Sequence, residues 1–245
     1  MLKSLTGVIL CASMMAMAAG QSLHVYGPGG PLAPMKECAE LYQQKTGVKV
    51  QVTAGPEEAW IDSAQTDADV VFGGAEYMLT QFDLEHKGFL LPGSRVELYD
   101  RAVGILVRPG NPKHIHDVAD LARPGVHLLD VNGAGQTGLW EDLAGRKGLI
   151  PAVFSNITVS VANSAEGMKE WSTRSEIDAW INYESWAKRL TGKAELVRLP
   201  ESERLYRGTP AAIASRSTSQ DQARSFLTFL QSPQAHAIFV KWGWR

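Results

Sequence analysis

The sequence is poor in cysteine. Of its two cysteines, Cys11 and Cys38, the first lies in an amino-terminal apolar stretch, so a chain without that stretch can form no intrachain disulfide and must rely on packing. Charge of one sign is also lacking. The formal net charge is -2 with no basic stripe and no block of like charges, which argues against nucleic acid as a partner and against a charged disordered tail. No apolar run reaches the roughly 20 residues of a membrane span. The longest, Leu5 to Ala19, follows Lys3 and ends in Ala16-Met17-Ala18, the small-x-small pattern of a cleaved leader. Residues 1–20 are therefore expected to be a signal peptide and the mature chain to be secreted, with no membrane insertion after cleavage. Leu10 before Cys11 does not suit a lipoprotein site.

Catalytic patterns are missing too. G-x-S-x-G is absent, which removes the usual nucleophile elbow of a hydrolase. "NGAGQTGL" lacks the lysine of a phosphate loop because Leu139 follows Gly138, and "GPGGPL" has Leu32 where G-x-G-x-x-G needs its last glycine. "HIHD" (His114 to Asp117) reads as a solvated turn, since a metal would need further ligands. No enzyme, metal or cofactor is expected.

What is present is an alternation of β-prone runs and helical patterns. "SLHVYG", "APMKECAELYQQKTG" and "VKVQVTAG" make a βαβ unit; Met35, Ala39 and Tyr42 share one helical face, and Cys38 reads as buried filler. "EEAWIDSAQ" reads as a short helix, "DADVVFGG" as a strand and "EYMLTQFDLEHKG" as a helix. "RAVGILVRPGNP" is a long strand. A second series then follows: helix "HDVADLA", strand "VHLLDV", helix "TGLWEDLAGRKG", strand "ITVSVAN", helix "SAEGMKEWST" and strand "IDAWINY". "TPAAIASR" and two closing helices complete the chain. This is an α/β protein of two lobes. Strands ending in "YGPGGP", "VTAGPE", "FGGAE" and "NGAGQTG" put small-residue turns at the carboxyl ends of the strands, where open α/β sheets take their ligands.

The order of elements resembles a type II periplasmic substrate-binding protein of the molybdate/sulfate-binding group. "DQARSFLTFLQSPQAHAIFVKWGW", "RAVGILVRPGNPKHIHDVADLARPGVHLLDV" and "EIDAWINYES" carry the likeness, while "VYGPGGP", "AGPEEAWID", "FGGAEYM" and "NGAGQTGLWEDLAGR" are most similar to the accessory colonization factor C subgroup. The resemblance implies a periplasmic solute-binding protein whose first lobe is 21–103 plus 208–245 and whose second is 104–207, each a mainly parallel sheet, joined by two crossing strands. It implies a small oxyanion or anionic metabolite as ligand, and an ABC permease or a chemoreceptor as partner. A homodimer stays open. An adhesin with a vestigial cleft is the alternative, and a hydrolase of small anionic esters a further one.

For such a ligand the candidate contacts are backbone amides at helix starts, where the helix dipole places roughly half a positive charge. Gly29 and Gly30, Gly74 and Ala75, and Gly135 to Thr137 are placed for this, with Gly55 in a fourth turn. Gln136 and Thr137 could add side-chain donors, although Thr137 could equally cap its helix. Tyr183 matches the family's ligand-facing tyrosine, with core packing as the alternative. Trp60 walls the cleft or joins the core. Glu76 would repel an anion and is expected to bond backbone at its own helix start. Arg101 and Arg207, near the crossing strands, could meet a carboxylate or phosphate, though a surface ion pair is the plainer reading of both.

Overall fold

The structure, a computed structural model, describes residues 22–245. The leader expected at 1–20 lies outside the described residues. Strands β1 (Leu23–Gly27), β2 (Val50–Ala54), β3 (Val70–Phe72), β4 (Val96–Val107), β5 (Leu128–Val131), β6 (Ile157–Val161), β7 (Ala179–Tyr183), β8 (Glu195–Val197) and β9 (Tyr206–Ile213) form one mixed, curled sheet. Its order is β2-β1-β3-β9-β4-β7-β5-β6, with β8 also paired to β4. Helices α1 (Leu32–Thr46), α2 (Ile61–Asp67), α3 (Glu76–Glu85), α4 (Leu139–Gly145), α5 (Ile150–Ser155), α6 (Ser164–Thr173), α7 (Ser185–Arg189), α8 (Gln220–Leu230) and α9 (Pro233–Lys241) flank it.

Helical connections make β1 parallel to both β2 and β3, and β5 parallel to both β6 and β7. Between these two parallel groups run β4 and β9, antiparallel to each other. Strand β4 changes partner along its length: from Val96 to Ala102 it lies on β9, and from Val103 to Val107 on β7. The buried apolar residues divide accordingly. One cluster draws only on residues from Val103 to Leu205, and two others combine residues before Val103 with residues after Leu205. The fold is thus two-lobed, with the chain passing between lobes on extended strands.

The local chemistry explains the elements. Helix α1 buries Met35, Cys38, Ala39 and Tyr42 on one stripe and stops at Gly47, whose φ of 76° lets its amide reach the Gln43 carbonyl. Burial pushes the Cys38 thiol up to about 12, as expected of inert filler. Helix α9 begins with Ser232 accepting from the Ala235 amide and Pro233 in its first turn.

Three expectations need correction. "HDVADLA" is not an α-helix but a single 3-10 turn over Ala119–Ala122. Asp117 accepts from the amides of Ala119 and Asp120, and Asp120 from those of His116 and Asp117, so side chains take the donors that a helix would have used. "EEAWIDSAQ" is broken at Trp60 into a 3-10 turn, Glu57–Ala59, and α2. Helices α5 and α7 and strand β8 were not anticipated, being only 6, 5 and 3 residues long, too short for periodicity to register.

Candidate functional site

Three of the small-residue turns meet. Gly74, after β3, lies so close to the second-lobe turn that a Cβ on Gly135 would stand 3.1 Å from the Gly74 carbonyl oxygen. On the other side a Cβ on Gly74 would stand 3.1 Å from Pro28, in the turn after β1. Gly135 has a φ of 88°, open to glycine and strained for any residue with a Cβ. Glycine at these positions is what permits backbone from both lobes to approach.

At their junction sits Arg101, on β4 one residue before the last pairing with β9. Its side chain is fully buried, at 1% exposure. One guanidinium nitrogen donates to the Gly74 carbonyl, another stands 3.1 Å from the Cβ position of Gly30, and the plane lies over the Tyr183 ring with 3.7 Å to the centroid. Among the described residues no carboxylate comes within ion-pair distance of it, and its Nε has no partner. Burial lowers its pKa from 12.5 to about 10, so it remains charged at neutral pH. The plainer expectation of a surface ion pair is therefore wrong for Arg101. A buried cation without a counter-charge is costly, and it makes this junction electropositive.

Tyr183 is equally buried, and its hydroxyl donates to the Gly135 carbonyl. Burial raises its pKa to about 12 despite the neighbouring arginine, so it stays a neutral donor. The amides of Gly29, Gly30, Gly74, Gly135 and Thr137 make no hydrogen bond to protein groups among the described residues. The carbonyls of Gly74 and Gly135 are the ones turned to Arg101 and Tyr183, so the positive charge at the centre comes from a side chain more than from helix starts. That differs from the expectation of a cradle made mainly of amides. Helix α4 starts at Leu139 behind Gly138, with no side-chain cap. Thr137 is exposed and does not cap it.

Other candidates are committed elsewhere. The Gly55 amide donates to the Gly27 carbonyl at 3.0 Å, closing the β1–β2 pair, so it is spent on the fold. Trp60 is core: it is 5% exposed, packs between Tyr26 and Phe82 at 5.8 and 6.0 Å, and bonds the Gly55 carbonyl. The Gln136 amide bonds Ser164 at 2.8 Å and the Trp180 indole at 3.0 Å, a second-lobe brace rather than a free donor. Ala75 is fully buried at the start of α3. Glu76 does bond backbone, but not at its own helix start: it accepts from the Gly208 amide on β9 at 2.6 Å, tying α3 to the crossing strand. Arg207 forms the bland ion pair, 2.9 Å from Asp142. That pair nevertheless joins a crossing strand to α4.

Two residues around the junction had not been singled out. Tyr77, in the first turn of α3, has a buried hydroxyl without a hydrogen-bond partner among the described residues. Arg189, at the end of α7, donates to the Gly29 carbonyl at 3.2 Å.

A roomy cavity lies elsewhere. It measures about 590 Å³ and lies at the amino-terminal ends of β1 and β3, lined among others by His24, Asp67, Asp69, His86 and Arg216. Its acidic groups are already bonded, Asp67 to Tyr26 and His24, and Asp69 to Ser217 and the His24 amide. Size alone does not outweigh the unpaired buried charge at the junction. For metals, the described residues offer one group of suitable spacing: Glu57, Glu85 and His86, with donor atoms within 4.8 Å of one another. The His86 ring already meets Glu57 at 2.7 Å and Gln81 meets Glu85 at 2.7 Å.

A family model of bacterial extracellular solute-binding proteins matches residues 23–245. Among curated proteins, the sulfate-binding protein of Synechococcus elongatus is 26% identical over 239 residues, with 84% of this chain and 67% of that protein covered. The molybdate-binding protein of Mycobacterium tuberculosis is 27% identical over 202 residues, covering 80% and 74%. Against the sulfate-binding protein of Salmonella typhimurium the chain spans only 50% of that protein's length. Among solved structures, Peb3 of Campylobacter jejuni is 31% identical with a TM-score of 0.83, covering 91% of this chain and 99% of Peb3. Peb3 bound to L-phospholactate superposes with a TM-score of 0.84.

Proposed function

Since the chain belongs to the bacterial extracellular solute-binding proteins and has their type II periplasmic architecture, we propose that it captures a small anion between its lobes, around Arg101. The observation that carries this reading is the fully buried guanidinium with no carboxylate partner among the described residues. An anion placed there removes the cost of the unpaired charge and is held by the guanidinium and by free glycine amides from both lobes, while the Tyr183 hydroxyl, bonded to the Gly135 carbonyl, fixes the second-lobe turn beside it. The names of the sulfate- and molybdate-binding relatives and of Peb3 with L-phospholactate support an oxyanion or an anionic metabolite. A guanidinium fork suits a carboxylate or phosphate ester better than a bare point charge would.

In this reading the lobes are 21–103 plus 208–245 and 104–207, and β4 and β9 act as the hinge. The partner switch of β4 after Ala102 supports that division. A ligand touching both lobes stabilises the closed form over the open one by its differential contacts. The chain is delivered to the periplasm by its leader. The closed protein hands its cargo unaltered to an ABC-type permease, a chemoreceptor being the other kind of receiver. The test is a thermal-shift screen of sulfate, molybdate, citrate and phosphorylated three-carbon acids. Shifts given only by sugars or cationic amino acids would refute the anion reading.

A further inference from the structure

We infer that Arg189 and Tyr77 contact the ligand of the cleft proposed above, and that Arg189 selects anions carrying a second negative group. This rests on the reading of Arg101 as the primary anion contact. The Gly29-Gly30 turn is flanked by two guanidiniums, Arg101 beside Gly30 and Arg189 bonded to the Gly29 carbonyl at 3.2 Å. They are close enough that the Arg189 charge helps burial to lower the Arg101 pKa. Arg207, on the neighbouring strand, is matched by Asp142, whereas Arg189, like Arg101, has no carboxylate within 4.0 Å among the described residues. Arg189 instead lies over the Trp186 ring, 4.4 Å from its centroid, which fixes the guanidinium plane without neutralising it.

Two like charges on either side of one dipeptide repel. A tetrahedral inorganic anion can fill the fork of one of them. A small organic acid with two anionic groups, two carboxylates or a carboxylate and a phosphate, can meet both. The Tyr77 hydroxyl is buried, has no partner among the described residues and lies within electrostatic reach of Arg101 and Tyr183, so a ligand oxygen satisfies it. Because Arg189 sits on the second lobe beside β7, and the turn it reaches belongs to the first, a two-headed ligand also spans the gap.

The test compares phosphoenolpyruvate with two one-headed anions, sulfate and lactate, by titration calorimetry on the wild-type protein and on Arg189→Gln, Arg189→Lys and Tyr77→Phe. Phosphoenolpyruvate is expected to bind the wild type at least about 10-fold tighter than either control, and Arg189→Gln to remove most of that margin while leaving sulfate within about 3-fold. Arg189→Lys keeps the charge and should retain part of the margin. Tyr77→Phe should weaken phosphoenolpyruvate by about 5-fold, the loss of one hydrogen bond. Arg189→Gln with unchanged phosphoenolpyruvate affinity, or with all three anions weakened alike, overturns the assignment. A wild type that binds sulfate as tightly as phosphoenolpyruvate overturns it too, while leaving the anion reading in place; a wild type that binds no anion at all ends both.

Discussion

Replacing Arg101 by methionine isolates the buried charge from the fold around it. In the ligand-free protein the change removes a desolvation cost. The fall of the Arg101 pKa from 12.5 to about 10 corresponds to about 3 kcal/mol. It also removes a charged hydrogen bond to Gly74, worth about 1.5–3 kcal/mol, and a stacking contact on Tyr183, worth about 2 kcal/mol when desolvated. These terms offset to within about 2 kcal/mol, so the melting temperature of the free variant should stay within about 8 °C of wild type. Ligand binding does not cancel in the same way. An anion at about 100 times its dissociation constant adds about 2.7 kcal/mol, or a rise of about 5–11 °C for a chain of this size. Losing its guanidinium partner costs the complex about 2–5 kcal/mol, which leaves under about 1 kcal/mol of ligand stabilisation at the same concentration. The assay is differential scanning fluorimetry of both proteins with and without the best anion from the screen. A variant that melts like wild type and keeps the full ligand shift would refute the role of Arg101. One that fails to fold would show the arginine to be a structural brace instead.

Gly135→Ala places a Cβ 3.1 Å from the Gly74 carbonyl, a crowding felt only while the two turns lie together, and adds a local left-handed strain of about 1–2 kcal/mol at a φ of 88°; weaker anion binding and a larger radius of gyration in small-angle scattering are expected, and unchanged values would separate the two turns. Asp130 on β5 is held above the ordinary carboxylate range by burial, partly offset by Ser160. Its folded pKa exceeds the unfolded one, so its ionisation penalty is present above the folded pKa and is relieved as pH falls through it. Asp130→Asn should therefore raise the melting temperature at neutral pH, by about 2–4 °C per kcal/mol recovered, and the gain should shrink in acid; a gain that grows in acid would contradict the assignment. Cys38, buried with its thiol pushed up to about 12, should not react with Ellman's reagent in the native protein and should release one equivalent in denaturant when the chain lacks residues 1–20.

Much of the fold was readable because its long elements repeat one pattern: apolar strand, small-residue turn, amphipathic helix. What was not readable is the competition between side chains and backbone. Asp117 and Asp120 dissolve a helix that the apolar spacing of "HDVADLA" suggests, and only their hydrogen bonds reveal it. The site was legible as a set of turns and not as a set of partners. Glycine spacing marks where backbone can come close, but Gln136 is occupied by Ser164 and Trp180, 28 and 44 residues away, and no local signal announces that. Tyr77 offered a signal, a polar aromatic in the first turn after Gly73-Gly74. Arg189 offered none.

Arg101 is legible as a candidate but not as a buried one, and the reason bears on how closure would work. A charged residue near the start of a strand is ordinarily assigned to solvent, yet here the strand crosses between lobes, and the change of partner from β9 to β7 immediately beyond it encloses what would otherwise be an exposed position. The cation is thus fixed to the element about which the lobes would turn, while the groups it touches, Gly74 and Gly30 on one side and Tyr183 on the other, belong to bodies that would move. Opening the lobes would hydrate the guanidinium and relieve its desolvation. Closing them without a counter-charge restores that cost, and closing on an anion offsets it. The same arginine would therefore set both affinity and the open–closed balance, so substitutions that leave its charge solvated should bias the free protein towards closure even as they weaken binding.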